Sequence, residues 1–173
     1  MKILKYLLAG LLLYSTISAQ SFSVGPQIGL FKTVGADKVN VLPGGAVRIN
    51  FDKLSIEAAY YSKSETYFNG EMTAKSNPFV LSGIFYVLPM IYGDFGIGWY
   101  NTDYNYSDSM AVAFGVKSEK VKDKGYHIGA GAQLEFGPLL LTGDLRYVFM
   151  TNSSTVFVKN SYYTLIVGLM YKF

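Results

Sequence analysis

The chain contains no cysteine, one histidine, one tryptophan and five prolines in 173 residues. Without cysteine there is no disulfide framework, no thiolate metal site and no lipidated thiol to tether an N-terminus. Charge is sparse, at 16% of residues, and beyond the N-terminus no apolar run reaches the roughly 18 to 20 residues of a spanning helix. Any crossing of a membrane is therefore left to strands. No metal or cofactor is expected.

Apolar residues make up half of the chain, and aromatic residues 16%. The first twenty residues predict an export signal: Lys2 and Lys5 supply a positive start, positions 6–14 a short apolar core, and Ile17, Ser18 and Ala19 a small-residue cleavage site before Gln20. The expected organisation is a signal peptide over 1–19 and one barrel domain over 20–173. Loss of the two lysines leaves 13 basic against 12 acidic residues, so the formal charge falls from +3 to +1. Nothing in that balance favours nucleic acid.

From Phe22 onward the apolar residues recur with period 2, the alternation of strands whose faces meet different environments. Eight runs are predicted, near 22–31, 43–51, 54–63, 79–88, 92–101, 125–136, 139–149 and 161–173. Their connections alternate in length. Short ones fall at Asp52 and Lys53, at 89–91, and at Gly137 and Pro138, while long, polar ones cover 32–42, 64–78, 102–124 and 150–160. Short turns on one side and long loops on the other fit an outer-membrane barrel with the turns and both termini in the periplasm.

Two-residue turns fix register, so the faces can be checked across two hairpins. Phe51 falls opposite Leu54, Ile49 opposite Ile56 and Arg48 opposite Glu57. In the second hairpin Leu134 falls opposite Leu141 and Gln133 opposite Thr142. One face is Val, Ile, Leu, Phe and Tyr; the other carries Gln27, Arg48, Glu57, Ser82, Asp94, Gln133, Glu135, Asp144, Arg146 and Lys172. Strand length and aromatics gathered at strand ends favour lipid on the apolar side. The end groups are Phe51, Phe95, Phe136 and Tyr171 by the turns, and Tyr60, Trp99, Tyr126, Phe149 and Tyr163 by the loops. Glycines interspersed with charges on the inward face suit a narrow lumen filled by its own side chains.

The last strand, 163–173, alternates and ends on Phe173. In this it looks like the C-terminal assembly signal of outer-membrane barrels, with Leu169, Tyr171 and Phe173 as its outward residues. With the export signal and the strand count, the chain resembles the small OmpA/OmpX-like proteins. The resemblance implies an all-β, eight-stranded antiparallel up-and-down transmembrane barrel, insertion by the barrel-assembly machinery, and an outer-membrane location among lipids and lipopolysaccharide.

The candidate site is an inward ion network of Arg48, Glu57, Asp94, Glu135, Asp144, Arg146 and Lys172. Ions in a narrow lumen need partners, which gives the network a structural role as a plug; the functional alternative is a gated pore. His127 is the natural general base for a lipid-modifying enzyme. The outer-membrane deacylases it would resemble carry a serine two residues beyond the histidine, where Gly129 stands here, and Ser107, Ser109, Ser118, Ser153 and Ser154 lie in predicted loops. His127 is accordingly expected as a polar residue at the loop-side rim, and no catalytic residue is assigned. Met110, Val112, Phe114 and Val116 alternate, as an extended hairpin or an apolar surface would. The lysine-rich run 117–124 reads as a solvated tip whose lysines could meet lipopolysaccharide phosphates. The expected function is non-enzymatic: membrane integrity, or contact with an extracellular ligand or host surface through the loops.

Overall fold

The computed structural model describes residues 21–33, 36, 38–151 and 161–173, apart from the side chain of Phe114. The predicted export segment and nearly all of the predicted loop 150–160 lie outside the described residues. Ten antiparallel strands follow in order: β1 (Ser21–Thr33), β2 (Asn40–Asn50), β3 (Leu54–Tyr61), β4 (Lys63–Tyr67), β5 (Met72–Ser76), β6 (Phe79–Leu88), β7 (Ile91–Tyr106), β8 (Ser118–Phe136), β9 (Leu139–Met150) and β10 (Tyr162–Lys172). The β1–β10 and β7–β8 pairings close the sheet on itself. A closed sheet leaves no unpaired backbone edge where lipid would meet it.

Ten strands make eight walls. The pairs Tyr60 with Phe79 and Lys63 with Ser76 are in phase, so β4 continues β3 and β5 leads into β6. The ladder lapses at Pro78, which has no N–H to donate. Its carbonyl still accepts from the Tyr61 N–H at 3.0 Å. The eight-stranded antiparallel architecture expected from the sequence is therefore present, with strands longer than the period-2 runs alone indicated.

Registers across the short turns match the hairpin reading: Arg48 pairs with Glu57, Ile49 with Ile56, Leu134 with Leu141 and Gln133 with Thr142. At the third short turn, around Pro89, the register shifts by one residue between Tyr86 and Leu88, a bulge at the barrel rim. Gly137 turns the β8–β9 hairpin with φ 61°, a left-handed conformation that a residue without Cβ adopts freely.

The outer surface is apolar. Along β10, Tyr163, Leu165, Val167, Leu169 and Tyr171 all point out and are 44–60% exposed. Positions 163–171 rise about 26 Å along the strand at roughly 3.3 Å per residue, close to the roughly 25 Å band of an outer-membrane barrel. Aromatic rings bound this belt. Phe79 and Trp99 pair at 5.8 Å and Tyr147 meets Phe149 and Tyr163 at 4.5 Å on the loop side, while Tyr171 and Phe22 flank Phe173 on the turn side.

Above the belt, among the described residues, the strands continue on one flank only. Segments 64–78 and 102–124, expected as open loops, form a four-stranded extension in the order β4-β5-β7-β8. Tyr67, Met72, Ala74, Tyr104 and Val121 give it a small core of its own. At its tip is a short helix, α1 (Asp108–Phe114), so the alternation of 110–116 is not an extended strand. The Ser107 hydroxyl caps it by accepting from the Met110 N–H at 3.3 Å, and Gly115, at φ 72°, ends it. These start and stop signals outweigh a weak period-2 pattern.

The neighbouring hairpin is fastened to this tip. Glu71 accepts hydrogen bonds from the hydroxyls of Ser107 and Ser109, and its carbonyl accepts from the Ser107 N–H at 2.8 Å. The two hydroxyls hold the Glu71 carboxyl below its ordinary value of 4.5. A lowered folded-state value means that the clasp is fully present above pH 4.5 and is lost as pH falls through the lowered value. Protection of the α1 amides against hydrogen exchange should fall on acidification below pH 4.5 and stay flat above it. Glu71→Gln should remove that dependence; an unchanged pH profile would rule out the clasp.

Candidate functional site

Halfway along the lumen, side chains from seven of the eight walls meet. Glu57 on β3 lies between two guanidinium groups: Arg48 Nη2 stands 2.6 Å from Oε2 and Arg146 Nη2 3.2 Å from Oε1. Gln27 on β1 donates to Oε2 at 3.3 Å. Arg146 also approaches Asp144 at 3.3 Å and, through Nε, Asp94 at 3.2 Å. Tyr92 donates to Asp144 at 2.9 Å, and Arg48 lies over the Tyr92 ring. Arg48 and Glu57 have no solvent exposure at all. Charges withdrawn so completely from water are tolerable only where partners surround them.

Glycine makes room for these long side chains. A Cβ at Gly129 would lie 2.6 Å from the Asp94 carboxylate and 2.8 Å from Arg146 Cγ, and one at Gly131 would strike the Tyr92 ring at 2.5 Å. The mixture of glycines and ions in the sequence is thus one packing solution. A bulky ion on one strand fills the space that a glycine leaves on its neighbour.

The structure divides the sequence-predicted network. Arg48, Glu57, Asp94, Asp144 and Arg146 come together. Glu135 and Lys172 do not join them; they pair with each other at 2.9 Å at the turn-side mouth, where both are partly exposed. There they line a vestibule of about 450 Å³ with Ser21, Asn50, Tyr86 and Gln133. Its inner end meets Arg48, whose Nη1 donates to Gln133 at 3.4 Å.

His127 belongs to the lumen rather than to the rim where it was expected. It is buried, with Nε2 3.1 Å from the Ser82 hydroxyl and 3.3 Å from Asp94 Oδ1. A serine, a histidine and an aspartate therefore meet, although no two of them are close in sequence. Both contacts fall on the same ring nitrogen. A proton relay uses one nitrogen toward the nucleophile and the other toward the acid, so this trio lacks the relay geometry. Among the described residues, no group of three or more His, Asp or Glu could hold a metal ion.

The sequence reading missed several polar contributors. Tyr61, Tyr86 and Tyr92 face inward, and their hydroxyls donate to Gln27, Gln133 and Asp144. Counting tyrosine with the apolar face hid them. Nearer the loop side, buried Lys63 is paired with Glu65 at 2.7 Å and sits over the rings of Phe31 and Tyr162 at 5.1 and 4.4 Å. Extending the alternation of β3 through 61, 63, 65 and 67 would have found this pair. The polar composition of 64–78 argued for a loop instead.

At the end of β10, Leu169 and Tyr171 point outward, and the Phe173 N–H donates to the Phe22 carbonyl at 2.7 Å. The terminal residue is thereby fixed to the first wall.

No protein-family model matches the chain, nor does any curated protein sequence. Solved structures do. Neisserial surface protein A is similar with a TM-score of 0.64 at 15% identity, covering 88% of this chain and 97% of that one. Ail, the attachment invasion locus protein of Yersinia pestis, has a TM-score of 0.55 at 16% identity with the same coverage. Ail in complex with the heparin analogue sucrose octasulfate is similar at a TM-score of 0.53. At these identities the likeness is one of fold. That fold, together with the apolar belt, sets the molecule in an outer membrane.

Removing the central carboxylate should strand two guanidinium groups. Glu57→Leu is expected to lower the stability of the refolded barrel by about 3–5 kcal/mol, read as a lower denaturant midpoint for the compact band in unboiled gels. Adding Arg48→Met should restore a large part of the loss. An unchanged midpoint in the single variant would contradict a structural role for the pair.

Proposed function

Given an outer-membrane β-barrel with the fold of the small OmpA/OmpX-like proteins, we propose that this chain is a non-enzymatic surface protein. Its sealed barrel anchors the β4-β5-β7-β8 extension for contact with an extracellular ligand or host surface. One observation carries this reading: the barrel ladder runs on past the aromatic belt on one flank, and the projecting sheet has its own core and a fastened tip. Loops placed on rigid scaffolds are where binding concentrates. Here the scaffold itself reaches into the medium.

The lumen supports the same reading. A network of fully buried ions at mid-height, with Tyr61, Tyr100 and Tyr162 nearer the loops, fills the section where a solute would pass. Eight strands enclose little more than their own side chains. Such a barrel adds to the integrity of the membrane without opening it. Insertion by the barrel-assembly machinery, with Leu169, Tyr171 and Phe173 as the terminal signal, belongs to the same proposal. A lipid-modifying enzyme is disfavoured by the buried position of His127 and by the crowding of both its contacts onto one nitrogen.

Replacing 102–121 with Asn-Gly should leave a heat-modifiable barrel and remove the β7–β8 half of the extension together with the helix at its tip. Bacteria displaying the parent should then be retained on cultured epithelial monolayers several-fold more than bacteria displaying the shortened chain. Equal retention would overturn the surface-contact reading. In planar bilayers the refolded parent should give no steady conductance; stable steps altered by Glu57→Gln would turn the ion cluster into a gate and the protein into a small pore.

A further inference from the structure

The outer face of β8 changes character at one point. Ile128 and Tyr126 belong to the lipid-facing belt, and the next three outward residues on the same strand are Lys124, Lys122 and Lys120. Same-face neighbours on a strand stand roughly 7 Å apart, so the three ammonium groups form a column rising directly from the belt. Lys124 is the cross-strand partner of Trp99, a ring of the loop-side girdle. Aromatic girdles mark the level of the lipid headgroups.

The charges in this column are unequally occupied. Lys120 has Asp103 at 3.6 Å. Opposite Lys122 stands Asn101 and opposite Lys124 stands Trp99, and among the described residues neither lysine has a carboxylate partner. The buried acid between them, Asp123, points to the other face of the strand. On the far side, β9 ends at Met150, and the Thr151 N–H donates to the Lys124 carbonyl.

We propose that Lys122 and Lys124 form a binding site for the phosphate groups of a phosphorylated outer-leaflet glycolipid, whose acyl chains lie along Tyr126 and Ile128 below. The two halves of such a lipid match the two halves of the strand. An apolar face at belt level continues into unpaired positive charge at headgroup level on one continuous surface. Soluble polyanions would meet the lysines without using the belt, and a protein partner would have to approach at the depth of the membrane surface. The inference rests on the outer-membrane placement and does not depend on the extension having an extracellular partner.

The test uses the refolded barrel in phosphatidylcholine nanodiscs doped with bisphosphorylated lipid A, with lipid retention read by native mass spectrometry. Lys122→Gln with Lys124→Gln should weaken retention about thirty-fold, the change expected for two lysines close to an anionic surface. Lys117→Gln, at the tip beside Asp108, should leave retention unchanged, which separates position from net charge. Lipid A stripped of phosphate should bind the parent no better than the double variant does. Inorganic phosphate that competes at millimolar concentration would show a general anion site and overturn the lipid assignment. Equal lipid A retention by the parent and the double variant would overturn the site itself, and compact bands in unboiled gels for both proteins confirm that folded barrels are being compared. The chain with 102–121 replaced by Asn-Gly keeps both lysines. It should retain lipid A whether or not the extension binds a surface.

Discussion

A carboxylate at the centre of a narrow barrel must be neutralised where it stands, and Glu57 is neutralised by two arginines, Arg48 from the adjacent strand and Arg146 from across the lumen. Much else follows from that arrangement. Arg146 reaches the centre across Gly129 of the neighbouring strand, where a Cβ would stand 2.8 Å from its Cγ, and it in turn holds Asp94 and Asp144. The tyrosine hydroxyls and amides around the cluster use hydrogen-bonding capacity that the ions leave open. Seven walls are thereby joined through their side chains as well as through their backbones.

The same constraint separates the molecule into zones. Below the cluster the turn-side vestibule is wet enough for Glu135 and Lys172 to remain partly exposed as a pair. Above it, aromatic rings enclose Lys63 and Glu65. Interaction with the outside is thus left to the barrel's outer face and its extension, whose core is distinct from that of the lumen. Nothing about a plug requires the extension to lie on one flank. That asymmetry comes from the lengths of β7 and β8, which exceed those of β9 and β10.

Period-2 alternation and two tight turns made the fold legible, because a two-residue turn leaves one register and that register sorted every ion to one side. Arg48 and Glu57 could be paired from the sequence for this reason. Glu135 could not be separated from Asp94 so easily: both have inward parity, and only height along the lumen distinguishes them, which depends on strand tilt. The Ser82, His127 and Asp94 contact was illegible because His127 comes from β8, which shares no short turn with the β6–β7 hairpin that carries Ser82 and Asp94. The extension was hidden for a different reason. Asn, Asp, Lys and Ser are the residues of solvated loops, but they are equally the outward residues of a strand standing in water. The inward residues, among them Tyr67, Met72, Ala74, Tyr104, Val121 and Asp123, carry the difference.

The β7–β8 ladder holds one register from Ile91 with Ala132 to Asn105 with Ser118, without a bulge. A slip of one residue would turn Lys122 and Lys124 toward the interior if β8 moved, or send Tyr100 out among the lipids if β7 did. A slip of two would keep the faces but move Asp94 away from the arginine that it meets. The longest hairpin of the molecule therefore has a single low-energy alignment, set at its two ends by different chemistry: ions within the membrane, and a hydrophobic core beyond it. During closure of the sheet it serves as a ruler, against which shorter strands with weaker preferences are measured.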